Sequence, residues 1–483
     1  MNKKFIRITL RLSLLLLILL FIALLNIVPH FGYKYPLHID EWRHLALARD
    51  MIHNDNIYKY NLEKGFTYFL FFLDKSGVDL LFSYRYLPIV FVILTSVLLF
   101  LTLYALTKKY YIALLAVIFF ASLKSNVNIL GPWFFTPLSF CFPFIYLFFL
   151  FFVLGIEKKS IKLLIVSVLD YIFILFVHPV SATFIFPIIL IYVLIHYKVY
   201  IKNRFVLGLL MLIPVISFLI FLDILWKGNL KRTLFFIIKF ITFEKGWGVY
   251  EKLYSVPSFY TYTSTFFAFI GSFFAIKNRK TRIFVIWVLV TLFGLWFFHR
   301  KGFSFLVPYQ RMFYYTLLGL VPLSAIGFYY SLRFISNTIK RNLNFSYKKA
   351  ISLVVFSLIS IFTFYSIFNN YFTIPEDIKL YKLIDDYDYK ALKFLEKQGK
   401  GKVLALPEIA TTVYPISGKR ALATLRFEGT DSLRNEIRDF YKLDCEKKKR
   451  FIKRFKIKYV YSHKPIDCNW DLIYSNKRYI YKV

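Results

Sequence analysis

Acidic residues are scarce in this 483-residue chain, where 27 Asp and Glu stand against 63 Lys and Arg for a formal net charge of +36. An excess of that size would suit nucleic acid if the bases were spread through polar sequence. Many of them instead sit in short loops between apolar runs, where membrane orientation accounts for them, so nucleic acid is not an expected partner. Cysteine is rarer still, with three residues, none at metal-finger spacing. Cys141 lies in an apolar run, whereas Cys445 and Cys468 lie near the C-terminal end and can pair in an oxidising compartment. A GxxxxGKS loop, an HExxH helix and a Ser-His-Asp arrangement are also missing, which removes motif support for nucleotide hydrolysis, zinc proteolysis and triad chemistry.

Apolar sequence is what the chain has in abundance: 58% of residues are hydrophobic and 58 are Phe. A soluble bundle of that composition would need helices apolar on every face and has too little polar sequence to cover them. Apolar runs near residues 12–29, 86–106, 110–123, 133–154, 161–178, 180–196, 205–224, 257–276, 283–298, 312–332 and 350–368 therefore read as membrane spans. The first follows Lys3, Lys4, Arg7 and Arg11; it is long for a signal peptide and no small-residue cleavage site follows it, so it reads as a retained helix with a cytoplasmic N-terminus.

Alternating the connections places Lys108, Lys109, Lys158, Lys159, Lys162, Lys198, Lys202, Arg204, Lys277, Arg279, Lys280, Arg282, Arg333, Lys340, Arg341, Lys348 and Lys349 on one side, with Glu157 almost alone among acids. That is the positive-inside pattern. Asp40, Glu41, Asp50, Asp55, Glu63, Glu244 and Glu251 collect on the other side. The expected architecture is a polytopic α-helical membrane protein of about eleven spans, residues 1–370, whose first exterior loop is 30–85, followed by a small extracytoplasmic α/β domain, 371–483. In that domain a helix is expected over 387–397, a strand from Lys402, a basic helix over Cys445–Phe455, a strand around KYVYS and a closing hairpin turning at Asn476 and Lys477.

The first exterior loop carries the most information. In HIDEWRHLALARDMIHNDNIY, His44, Leu45, Ala48, Met51 and Ile52 share one helical face and Asp40, Arg43 and Asp50 another, which predicts an interfacial helix. A second amphipathic piece, GFTYFLFFLDKSG, precedes Arg85 and the second span. A carboxylate such as Asp40 suits a general base for a hydroxyl attacking an anomeric carbon, and cations nearby suit a departing phosphate. Asp40 as a mere helix cap, and Arg43, Lys64 and Arg85 as headgroup anchors, are the competing readings.

The order of basic N-terminus, first span, Asp40-Glu41, an Ala-Arg-x-Met helix, Glu63-Lys64, an aromatic helix and Arg85-x-x-Pro opening the second span resembles the GT-C glycosyltransferases. The nearest likeness is to the branch with protein O-mannosyltransferases and the lipid A aminoarabinose transferase. It covers residues 1 to about 110 and extends beyond them by topology alone. The resemblance implies transfer of a sugar from a polyprenyl-phosphate donor to an acceptor on the exterior face, within membrane lipid, with an acid of the first loop at the reaction centre. Asp40 matches that acid, with Glu41 beside it as a second catalytic candidate. Arg43 matches an arginine and Glu63-Lys64 a Glu-Lys pair, whereas Gly65 stands where that family commonly has proline. Some relatives use a divalent metal; Asp40, with Glu41 or Asp50, would be its ligands here, a thin set for a hard cation.

His299, Arg300, Lys301, Gln310 and Arg311 form a second candidate phosphate site, equally readable as a basic patch at the headgroups. Asp170 lies mid-span and reads either as part of a proton path or as a neutral structural carboxyl, with His178 at that helix's exterior end. Glu244, Trp247 and Tyr250 suit sugar binding or an aromatic belt. The expected activity is inverting transfer. A flippase of lipid-linked sugars and a non-catalytic envelope protein are the alternatives.

Overall fold

The computed structural model describes residues 3–53, 63–196, 242–244, 254–305, 307–342, 348–369, 371–372, 378–425 and 429–483. They fall into two compact units, one of Met1–Val28, Pro88–Trp133 and Pro137–Ile374, the other of Pro29–Leu87, Phe134–Thr136 and Pro375–Val483. The first exterior loop thus groups with the C-terminal residues and not with the spans.

The first unit is helical. Helices at Lys3–Ile27, Leu87–Thr107, Tyr110–Ala121, Pro137–Glu157, Ile161–Val177, Pro179–Ile195, Tyr262–Lys277, Arg282–Lys301, Tyr309–Asn342 and Lys348–Phe368 correspond to the expected apolar runs, and the run at 205–224 lies outside the described residues. Among the described residues five stretches are long and apolar enough to cross a bilayer: Phe5–His30, Leu80–Thr107, Pro137–Glu157, Arg282–Lys301 and Tyr309–Thr338. Leu16, Leu17, Leu20, Leu289, Phe293, Ile361 and Phe362 point outward, an arrangement that water penalises and lipid does not. Helices Tyr262–Lys277 and Tyr309–Asn342 pack closely on each other. A Cβ at Gly271 would strike the Leu323 carbonyl and one at Gly327 the Phe267 carbonyl, so glycine at both positions lets the backbones touch.

The second unit contains a four-stranded sheet. Two short strands of the first unit, β1 (Thr242–Glu244) and β2 (Phe303–Phe305), precede it in the chain. Its own strands are β3 (Lys402–Leu404), β4 (Ile457–Ser462), β5 (Asp471–Ser475) and β6 (Tyr479–Lys482), in the order β3-β4-β6-β5, with only the β3–β4 pair parallel. Helices Asp386–Glu396, Pro407–Ser417, Asp431–Phe440 and Cys445–Phe455 accompany the sheet. Leu404, Ile437, Phe440, Ile452 and Val460 form the core, and Cys445 and Cys468 are disulfide-bonded with Cα atoms 5.6 Å apart.

The loop helix Ile39–His53 is buried in this unit on nearly every side, Trp42, Leu45, Leu47 and Ala48 included, instead of lying half-exposed in an interface. It packs against Pro407–Ser417, and Arg49 fastens the pair: Nη1 donates to the carbonyls of Pro415 (2.7 Å) and Ile416 (3.0 Å), and Nη2 to Glu396 (3.1 Å). Those carbonyls end a helix and need donors. Arg49→Ala should therefore lower stability by about 3 kcal/mol, read as a depressed thermal midpoint, and Arg49→Lys should recover only part of it because an ammonium lacks the planar fork. The second loop helix, Lys64–Lys75, keeps Tyr68 and Phe72 exposed while burying Phe66 and Leu70, the two-sided apolarity of an element lying in the membrane interface.

Candidate functional site

In the second unit the chemistry begins at the start of Ile39–His53. His38 precedes the helix, and its carbonyl accepts the N–H groups of Glu41 (3.0 Å) and Trp42 (3.4 Å). The Asp40 N–H donates to His38 Nδ1 at 3.1 Å, so the neutral ring carries its proton on Nε2, and the 3.9 Å approach of Nδ1 to the Asp40 carboxylate is not an ion pair in that state. Capping is thus done by the His38 ring and by Glu41, whose Oε2 accepts the His38 N–H at 2.9 Å in the reciprocal capping pattern. Asp40 stands one position inside the helix with its side chain 9% exposed.

Glu41 is fully buried, and its other oxygen, Oε1, accepts the N–H of Phe135 at 2.7 Å. Both oxygens are spent on backbone, so Glu41 anchors the helix start and the 134–136 segment and is not placed as a second acid. Burial pushes its carboxyl up to about 8, opposed by the N–H groups it accepts and assisted by the charge of Asp40.

Glu63 Oε2 lies 3.8 Å from Arg43 Nη1 and 3.8 Å from His44 Nε2. Glu63 is thus placed to orient Arg43. Lys64 follows as the first residue of its helix and is half-buried. Arg85 is elsewhere in the unit. Its Nη2 donates to the Tyr86 hydroxyl at 2.6 Å, its guanidinium covers that ring, and it lines a cavity of about 780 Å³ with Lys34, Tyr35, Lys382, Asp385 and Asp386, to which Asp40 does not contribute. Of the sequence-predicted residues, Arg43 and Glu63 are brought together, Lys64 follows Glu63 in the chain, and Asp40 shares a helix with Arg43.

The first unit holds the second cluster. His299, Arg300 and Lys301 form the last turn of Arg282–Lys301, where cations suit the helix dipole, and Gly302 closes it at φ 73°. β2 follows and pairs antiparallel with β1, with Phe303 opposite Glu244. Arg311 then sits, half-buried, in the first turn of the next helix, which has no acid there. A cation at the positive end of a helix is unfavourable unless an anion joins it.

Below this turn Phe297, Val307 and Met312 line an apolar crevice of about 440 Å³ with Phe184, Ile286 and Phe293. His178 Nδ1 meets Ser181 Oγ (2.7 Å), which meets the Tyr315 hydroxyl (2.8 Å), and the charge of Arg311 reaches His178. Asp170 is buried, and its Oδ2 has no hydrogen-bond partner among the described residues. Trp247 and Tyr250 lie outside the described residues.

Among the described residues no group of three or more His, Cys, Asp and Glu side chains is placed to hold a metal. The nearest sets, His38 with Asp40 and His44 with Glu63, offer two donors each, and the His38 nitrogen is already engaged. They do not fit a hard cation that wants six or more oxygens.

Sequence reasoning passed over Lys124. It lies in the segment between Tyr110–Ala121 and Pro137–Glu157 and is 5% exposed. The available signal was its place: a cation in a connection the charge alternation puts outside, where that alternation asks for none.

The fold is similar to that of the archaeal oligosaccharyltransferase AglB from Archaeoglobus fulgidus, solved with an inhibitory peptide and a dolichol-phosphate, with TM-score 0.61 and 12% identity over 93% of this chain and 69% of that one. It is also similar to ArnT from Cupriavidus metallidurans bound to undecaprenyl phosphate, with TM-score 0.60 and 10% identity over 97% of each chain. A third match, TM-score 0.58 and 12% identity over 92% of this chain and 68% of that one, is the Archaeoglobus fulgidus oligosaccharyltransferase complexed with Zn and sulfate. Both proteins are GT-C superfamily glycosyltransferases, so the fold is the one that the first-loop resemblance implies. No protein-family model matches the sequence, and no curated protein does.

Proposed function

We propose that this chain is a membrane glycosyltransferase that moves a sugar from a polyprenyl-phosphate donor to an acceptor hydroxyl on the exterior face in one inverting displacement. The observation that supports the reading is the apolar crevice of the first unit, lined by Phe297 and Met312, next to which in the chain stand His299, Arg300 and Arg311, a pairing of chemistries that suits a prenyl chain bearing a phosphate. The fold neighbours solved with dolichol-phosphate and undecaprenyl phosphate support it.

In the proposed reaction Asp40 takes the proton from the acceptor hydroxyl as that oxygen bonds to the anomeric carbon. The bond from that carbon to the phosphate oxygen breaks, and the lipid phosphate leaves with the electron pair. Arg43, oriented by Glu63, and Lys64 offset negative charge developing in that step; within the first unit, Arg311 is the proposed cation for a lipid phosphate. Arg85 lines a cavity with Lys34 and Lys382 and is given no part in this step. No step is routed through a metal.

This reading puts the N-terminus in the cytoplasm and the second unit's sheet outside, which the Cys445–Cys468 bridge favours because disulfides persist in oxidising compartments. With Ser346→Cys and Ser475→Cys variants, an impermeant thiol reagent should label only the second in intact cells. Labelling at position 346 would overturn the orientation.

A further inference from the structure

Among the described residues the mechanism leaves Lys124, the buried lysine of the first unit, unused. Lys124 is 5% exposed and has no ion-pair or hydrogen-bond partner among the described residues. Its stem is packed away from water while its ammonium makes no ion pair with a described residue, which leaves that charge open to an anion.

Two sets of contacts within the first unit bring its segment to the helix that carries Arg311. The adjacent residue, Ser125, and the Tyr314 hydroxyl both crowd Gly131, where any side chain would collide with them. Tyr314 is three residues beyond Arg311, hence on the neighbouring part of the same helical face. Four residues past Lys124, Asn128 Nδ2 donates to the Tyr254 hydroxyl (3.1 Å), and the Tyr254 N–H donates to the hydroxyl of Tyr309, the first residue of that helix, at 2.8 Å. The 125–128 segment therefore packs against the opening turns of Tyr309–Asn342 and is tied to them through Tyr254.

We propose that Lys124 is a second cation for the lipid phosphate that Arg311 holds, a phosphate-binding residue outside the pattern of the first exterior loop. The inference rests on the donor reading given above and adds a residue to it. Desolvation also lowers the ammonium's pKa below the ordinary lysine range, so the contact should weaken as the solution becomes alkaline, and a bound phosphate should oppose that loss.

The test is the thermal shift that undecaprenyl phosphate gives the purified full chain, since a ligand that binds only the folded state raises its midpoint. Lys124→Met should raise the midpoint without lipid, by removing the buried charge, and weaken lipid-phosphate affinity by about ten-fold or more. Lys124→Gln supplies the same comparison if the Met variant does not fold, and Lys124→Arg should keep affinity while flattening its alkaline decline. An unchanged lipid shift in the neutral variants would overturn the inference. So would an equal, Lys124-dependent shift from phosphatidylglycerol, which would make the site a bulk headgroup anchor. Arg311→Ala separates the two claims: if it loses affinity while the Lys124 variants behave as wild type, only this inference fails, and if wild type shows no shift with the lipid, the donor reading itself fails.

Discussion

Asp40→Asn should leave a folded, inserted protein whose transfer from a polyprenyl-phosphate sugar is lower by about 10²-fold or more, the usual scale for losing a general base. The expectation is sharper than the sequence allowed. A capping aspartate replaced by asparagine would also leave the fold intact, but here the His38 ring and Glu41 occupy the capping role, so the Asp40 carboxylate is not needed for that purpose. The amide preserves size and removes the proton acceptor. Activity close to wild type, with protein level confirmed, would withdraw the assignment and favour a flippase, which needs phosphate-binding cations but no exterior base.

The largest structural effect is expected at Glu41. Replacing it with Ala strands two N–H groups, those of His38 and Phe135, at a cost of about 2–6 kcal/mol. Glu41→Gln is the more informative change, because the folded carboxyl is pushed up from 4.5 to about 8, chiefly by burial. Between those values the folded protein keeps a proton that the unfolded chain has released, so this contribution to stability is fully present below about pH 4.5 and is lost as the pH rises through about 8. The wild-type thermal midpoint should therefore decline between about pH 4.5 and about pH 8 more steeply than that of Glu41→Gln, which cannot titrate. Equal slopes would show that Glu41 does not change its proton on folding.

Much of the fold was readable from local pattern. Most long apolar runs gave helices near their expected ends, although Lys3–Ile27 begins nine residues before the run at 12–29 and Tyr309–Asn342 continues ten beyond that at 312–332, and the basic helix Cys445–Phe455 and the hairpin turning at Lys477, which adopts φ 56°, stand where periodicity and turn chemistry put them. Pro407–Ser417 was not expected as a helix, because Ile409, Thr411, Thr412 and Val413 are β-branched and Pro415 interrupts the stretch. Its burial against the loop helix overrides those preferences. Asp431–Phe440 carried a legible signal, a Thr430 cap accepting the Leu433 N–H, and it was missed for lack of an apolar run.

The candidate site divides in the same way. Asp40, Arg43 and the Glu63-Lys64 pair could be named from a contiguous stretch. The work of Glu41 depends on Phe135, that of Arg49 on Pro415 and Ile416, and the setting of Lys124 on Tyr309 and Tyr314, and no local pattern encodes contacts between residues so far apart in the chain.

The most direct test of the account is mass-spectrometric comparison of exterior glycans and polyprenyl-phosphate lipids in wild-type cells, in cells lacking this gene, and in cells complemented with Asp40→Asn. The account predicts that one exterior glycoform disappears in the deletion, that its sugar accumulates as the polyprenyl-phosphate conjugate, and that the Asp40→Asn protein restores neither. Unchanged glycans and lipids in the deletion, or full restoration by Asp40→Asn, would contradict it.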